Sequence, residues 1–123
     1  MNTSDINLKN ARIILKWCRE NLGKSKYRSN SKLSIGISRN IEFKGIYEER
    51  GEFSKIYIHP DKHRSFNEFI DTVIHEYIHF LQSLKYYDQI LEITGYEKHP
   101  METSSNMIAE ILKNKCRKDL FCD

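Results

Sequence analysis

Apolar residues return along this chain in two rhythms, and the change between them marks out its elements. Over residues 4–22, Ile6, Ile13, Ile14, Trp17 and Leu22 recur at near-helical spacing, which predicts a helix with one buried stripe. Ser4 or Asp5 can cap its start, and Gly23 stands where helices commonly stop. From residue 32 to 59 the period falls to two. "KLSIGIS" and "FSKIYIH" alternate cleanly, "IEFKGIY" less so, and Glu49-Arg50-Gly51 reads as a turn before the last strand. Two or three antiparallel strands are expected, the last ending before Pro60.

Helical spacing returns at residue 66. Ser65-Phe66-Asn67-Glu68 fits a capping box, in which serine and glutamate satisfy each other's end of the first turn. No glycine or proline interrupts the next twenty residues, so this helix should run over 66–87. A loop around Thr94-Gly95 leads to a last helix from about Pro100 to Cys116. Proline suits its first position, where the missing N–H would have no partner anyway. The order is a helix, a small antiparallel or mixed sheet of about three strands, and two further helices. That order implies an α+β domain spanning residues 1–123.

On a wheel of about 100° per residue, the third element separates into two arcs. Phe66, Phe69, Ile70, Val73, Ile74, Tyr77, Ile78, Phe80, Leu81 and Leu84 form the apolar one. Asp71, Thr72, His75, Glu76, His79, Gln82 and Ser83 form the other. His75 and His79 therefore share the polar side, with the apolar arc free to hold the helix in the core. Residues four apart are helix neighbours, so both imidazoles can reach one ion. Glu76, turned about 100° from His75, is badly placed as a third ligand but well placed beside a water on the ion, where a general base belongs. His-Glu-x-x-His on a helix is a known metallopeptidase signature, and here it lies mid-helix and in register. Zn2+ is the expected ion.

Composition narrows the setting. The net charge of +3 is mild, and acidic residues are interleaved among the basic ones nearly everywhere. Phosphate-tracking surfaces concentrate their charge, so nucleic acid is not expected as the main partner. "MNTSDINLKNARIILKWC" lacks the features of a signal peptide, and no stretch approaches membrane-spanning length. Three cysteines, Cys18, Cys116 and Cys122, are odd in number and lack C-x-x-C spacing. Free thiols in a cytoplasmic protein, most simply a monomer, are the expectation.

Catalytic zinc usually has three protein ligands and an open position for water. "FLQSLKYYD" after His79 holds neither the glycine nor the third histidine of a metzincin. "HPMETSSNMIAEIL" does offer Glu102, twenty-three positions after His79, with Asn106 one turn further on. Here the chain, over residues 53–112, resembles the gluzincin zinc peptidases, particularly the minimal single-domain minigluzincins. The resemblance implies a zincin-like fold, with His75, His79 and Glu102 holding zinc and Glu76 activating the water. Two departures stand out. Asn106 occupies the place of an acidic residue that, in many gluzincins, orients a ligand histidine. Against the Pro-x-Glu-x-Glu-Ala of some small relatives, Ser104 and Ser105 replace the second glutamate and the alanine, leaving Glu110 and His99 as substitute ligands if that glutamate is the one required.

Peptide hydrolysis also needs a group to steady the developing oxyanion. Tyr96 and His99 are the candidates, with Tyr86 and Tyr87 behind them. By analogy with zincins, "FSKIYIHP" is the candidate edge strand for pairing with substrate backbone. His59 at its end is expected to be exposed, and His63 has no evident role. The function expected is hydrolysis of peptides or proteins. The alternative is a non-catalytic zincin-fold module that binds metal or a protein partner.

Overall fold

The structure, a computed structural model, describes residues 1–23, 32–82 and 100–121, without the side chains of residues 100–105, 107 and 108. These residues form helices α1 (Leu8–Leu22), α2 (Phe66–Leu81) and α3 (Pro100–Phe121), and strands β1 (Leu33–Ile37), β2 (Gly45–Arg50) and β3 (Phe53–Ile58). Over the described residues the class is α+β, with three helices and a three-stranded mixed sheet.

The first helix begins later than Ser4 or Asp5 suggested. Thr3–Asp5 form a separate short turn, in which the Asp5 carboxylate accepts from Asn2 N at 2.9 Å. Asp5 is thus already engaged, Ile6 is extended, and Asn7 caps α1 by accepting from Asn10 N at 3.0 Å. Ala11, Ile14, Leu15, Trp17 and Cys18 make the buried stripe, while Ile13 lies at its margin. Gly23 closes the helix at φ 82°, a conformation costly for any residue with a Cβ.

In the sheet, β3 lies between β1, which is parallel to it, and β2, which is antiparallel. The link 38–44 joins one edge to the other past the end of β3. Ser38 N donates to Ile58 O at 3.0 Å on one side, and His59 N donates to Lys44 O at 2.9 Å on the other. The expectation that Phe53–Ile58 is an edge strand is therefore overturned. Alternation reports which faces of a strand are buried, not which edges are paired, and β3 is paired on both. Among the described residues the edges are β1 and β2. Gly51, at φ 60°, makes the β2–β3 return; the turn is tighter than predicted, since Arg50 still pairs with Phe53.

Leu33, Ile35, Ile56 and Ile58 from the sheet join Phe69, Ile70, Val73, Ile74, Tyr77 and Phe80 of α2 in one core. Ser65 Oγ accepts from Glu68 N at 3.2 Å, which is half of the capping box. The Glu68 carboxylate instead pairs with Lys44. α2 ends at Leu81 because Gln82 turns extended, so the predicted continuation is cut short; residues 83–87 lie outside the described residues.

α3 begins at Pro100 as expected and runs past Cys116. Its last turn has work in the core: Phe121 meets Phe66 edge-on at 4.8 Å, and Asp119 accepts from Trp17 Nε1 at 2.9 Å. Arg117 donates to Asn67 at 2.9 Å, which sets α3 antiparallel along α2. Cys18 and Cys116 are buried free thiols, and burial pushes the Cys116 pKa up to about 12. No helix among the described residues is long and apolar enough to cross a membrane.

Candidate metal centre

α2 shows Asp71, His75 and His79 as a half-exposed stripe, one turn apart, while its other residues from Phe69 to Phe80 are buried. The wheel placed them on its polar side, and the structure agrees. It differs at Thr72 and Glu76. Both are only 7% exposed, because the start of β2 covers that flank of the helix.

The contact there is close. A Cβ on Gly45 would stand 2.7 Å from Thr72 Cγ2 and 3.3 Å from Glu76 Cγ, so only glycine lets the strand approach this far. The Glu76 carboxylate is thereby held beside the histidines rather than out in solvent.

The Nε2 atoms of His75 and His79 lie 3.1 Å apart, with the rings nearly perpendicular at 80°. Two imidazoles bound to one zinc at about 2.0–2.1 Å with tetrahedral angles have nitrogens roughly 3.3 Å apart. The observed pair comes within a few tenths of an ångström of that. The ligand atoms of His75, Glu76 and His79 all fall within 4.8 Å of one another, and this group could hold a metal ion. Among the described residues it is the one such group.

The group opens into a cleft of about 640 Å³ between α2, the 42–45 segment and α3. Asn106 of α3 lines it together with Asp71, His75 and Glu76. Asn106 thus faces the same cleft as His75. The side chain of Glu102 lies outside the described residues, as do Tyr86, Tyr87, Tyr96 and His99 in full. Glu110, the substitute ligand, is exposed and paired with Lys113 at 2.8 Å, and it is not part of the metal-competent group.

Electrostatics vary sharply around the cleft. Lys44 holds Glu68 below the ordinary carboxylate range, chiefly by direct hydrogen bonding. Burial pushes the Asp71 carboxyl upward, with Lys113 opposing the shift. Asp71 Oδ1 is buried without a hydrogen-bond partner.

Two histidines outside the motif are also buried, which corrects the expectation that His59 is exposed. His63 Nδ1 lies 2.9 Å from His59 O, so that nitrogen must donate. Its Nε2 lies 2.9 Å from Thr72 Oγ1, one helical turn before Glu76. His63 therefore pins the β3–α2 connection to the helix that carries the motif, and burial lowers its pKa. The available signal was the i, i+4 spacing of "HPDKH", a turn-like segment beside Pro60.

Comparison of the chain with protein-family models, with curated proteins and with solved structures finds no match.

Proposed function

We propose that this protein is a zinc-dependent peptidase of gluzincin type, with a zincin-like fold. The observation that carries the reading is the convergence of His75 and His79 Nε2 at 3.1 Å beside the buried Glu76, at the wall of an open cleft. A structural metal has no need of the adjacent carboxylate, whereas hydrolysis does.

In this reading His75, His79 and Glu102 hold the zinc. The antiparallel register supports the third ligand: Asn67 meets Arg117, Asp71 lies in the field of Lys113, and Asn106 reaches the cleft. Continued at that register, the first turns of α3 pass His79, with position 102 about one turn from it. Bound zinc would supply Lewis acidity and bring the pKa of a coordinated water close to neutral. Glu76 takes the proton of the attacking water and returns it to the departing amine. Asn106 accepts from a ligand imidazole N–H through its amide oxygen, without the charge an aspartate would add. Tyr96 and His99 are the residues proposed to steady the oxyanion. Among the described residues β2 is an edge of the sheet, and it, rather than β3, is where a substrate backbone would add by antiparallel pairing.

The test is Glu76→Gln. Incubated with a mixture of peptides, the zinc-loaded protein should cleave and the variant should not, although it binds zinc equally. Equal cleavage by both would exclude Glu76 as the base. No cleavage by either would favour a non-catalytic metal-binding module.

A further inference from the structure

We propose that Asp71 forms a subsite for a cationic group of the peptide substrate, most simply a lysine or arginine side chain near the scissile bond. The proposal rests on the peptidase reading and adds to it the chemical class of substrate. Asp71 lies one helical turn before His75 and lines the same cleft as His75 and Glu76. Its Oδ1 is buried yet has no hydrogen-bond partner, a condition that protein interiors seldom leave uncompensated.

Charges nearby are already spoken for. Lys44 is ion-paired with Glu68 at 2.5 Å, Lys113 with Glu110 at 2.8 Å, and Lys62 donates to Glu42 O. Lys113, His75 and Lys44 lend Asp71 some positive field, but none is ion-paired or hydrogen-bonded to it, which favours a positively charged guest over a negatively charged one. Asp71 as a residue is half-exposed and lines the cleft, so an ammonium or guanidinium there meets the open side of its carboxylate and forms the stronger, charge-assisted kind of hydrogen bond. Phe43, 65% exposed, lines the same cleft and offers an apolar ring to the aliphatic stem of a long basic side chain. Asp71 itself is outside the group competent to hold metal, so its part is recognition rather than coordination.

The test uses heptapeptides of alanine, acetylated and amidated, whose central residue is arginine, lysine, norleucine or glutamate. Their binding to zinc-loaded Glu76→Gln protein is measured by calorimetry at low ionic strength. The arginine and lysine peptides should bind about tenfold or more tightly than norleucine, as expected of a hydrogen bond to a charged group. Adding Asp71→Asn should erase that difference. The substitution keeps the side-chain shape and removes an unpartnered charge, so the urea midpoint should hold or rise, which separates lost recognition from lost folding. A norleucine peptide with a free α-amine forms a further arm. Preference for it alone, lost in Asp71→Asn, assigns the same subsite to a terminal amine.

Equal binding of all peptides, a preference that survives Asp71→Asn, or tightest binding of glutamate would overturn the proposal. Hydrolysis by the unsubstituted protein is scored separately. Cleavage without basic preference refutes the subsite alone, whereas Asp71-dependent binding without cleavage of any peptide refutes the peptidase reading alone.

Discussion

Gly45→Ala tests how the sheet positions the motif helix, and its effect can be worked out beforehand. The new Cβ would lie 2.7 Å from Thr72 Cγ2 and 3.3 Å from both Glu76 Cγ and Ile58 Cδ1. Carbon atoms settle at about 3.5–4.0 Å, so the first contact must open by close to an ångström. Thr72 is not free to give way. Its hydroxyl lies 3.0 Å from Glu68 O and 2.9 Å from His63 Nε2. Either these bonds break or β2 moves off α2. Overpacking of this kind costs about 1–3 kcal/mol, and a forfeited hydrogen bond adds roughly 1 kcal/mol. The variant should lose about 2–4 kcal/mol in total. With a urea slope of about 1–3 kcal/mol per molar for a small protein, its midpoint should fall by about 1–2 M. Thr72→Ser removes the obstructing methyl and retains the hydroxyl. Alone it should cost about 1 kcal/mol for a buried methyl; combined with Gly45→Ala it should cost about 1–2 kcal/mol less than the sum of the two single changes, because the 2.7 Å contact is gone while those to Glu76 and Ile58 remain. Additivity of the two substitutions within about 0.5 kcal/mol would refute the clash and the close approach inferred from it.

His63 and the cysteines give two more expectations. Burial lowers the folded-state pKa of His63 from 6.5, so its contribution to stability is present above that value and is lost as pH falls toward the folded pKa. His63→Ala should cost about 1–3 kcal/mol at pH 8 by stranding its buried partners; the gap from wild type in urea titrations should narrow in acid, and a gap that widens there would be contrary. For the thiols, a Cys122→Ser protein should resist labelling at pH 8 until unfolded, then label at both Cys18 and Cys116. Because the folded thiols are held above their usual pKa of 9.0, stability should also fall as pH rises past that value. Prompt labelling under native conditions would contradict their burial.

The sequence made some of this legible for reasons that can be named. The helix carrying the motif has a serine cap and an apolar arc, and both depend on residues close together in the chain. Pro100 announces the start of α3 in the same local way. Where a feature depends on what packs against an element, the pattern falls silent. Periodicity set Thr72 and Glu76 on the polar side, but nothing in it says that β2 covers that side. It found β3 as a strand, while the 38–44 link decided that β3 would be central. Asp5 looked like a cap for the first helix and is used by the turn before it. His63 belongs to no periodic pattern, and its partners are a backbone carbonyl and a hydroxyl on another element. Asp71 was visible only as one of several polar residues; that its oxygen lacks a partner is a property of the folded chain.

The central claim is that His75 and His79 together hold one zinc ion. Metal-free protein titrated with zinc against a competing chelator should take up one equivalent. His75→Ala and His79→Ala should each weaken that binding by several orders of magnitude while remaining folded, since both positions are half-exposed. Zinc uptake by the double variant matching that of wild type, or no uptake by wild type at all, would contradict the account.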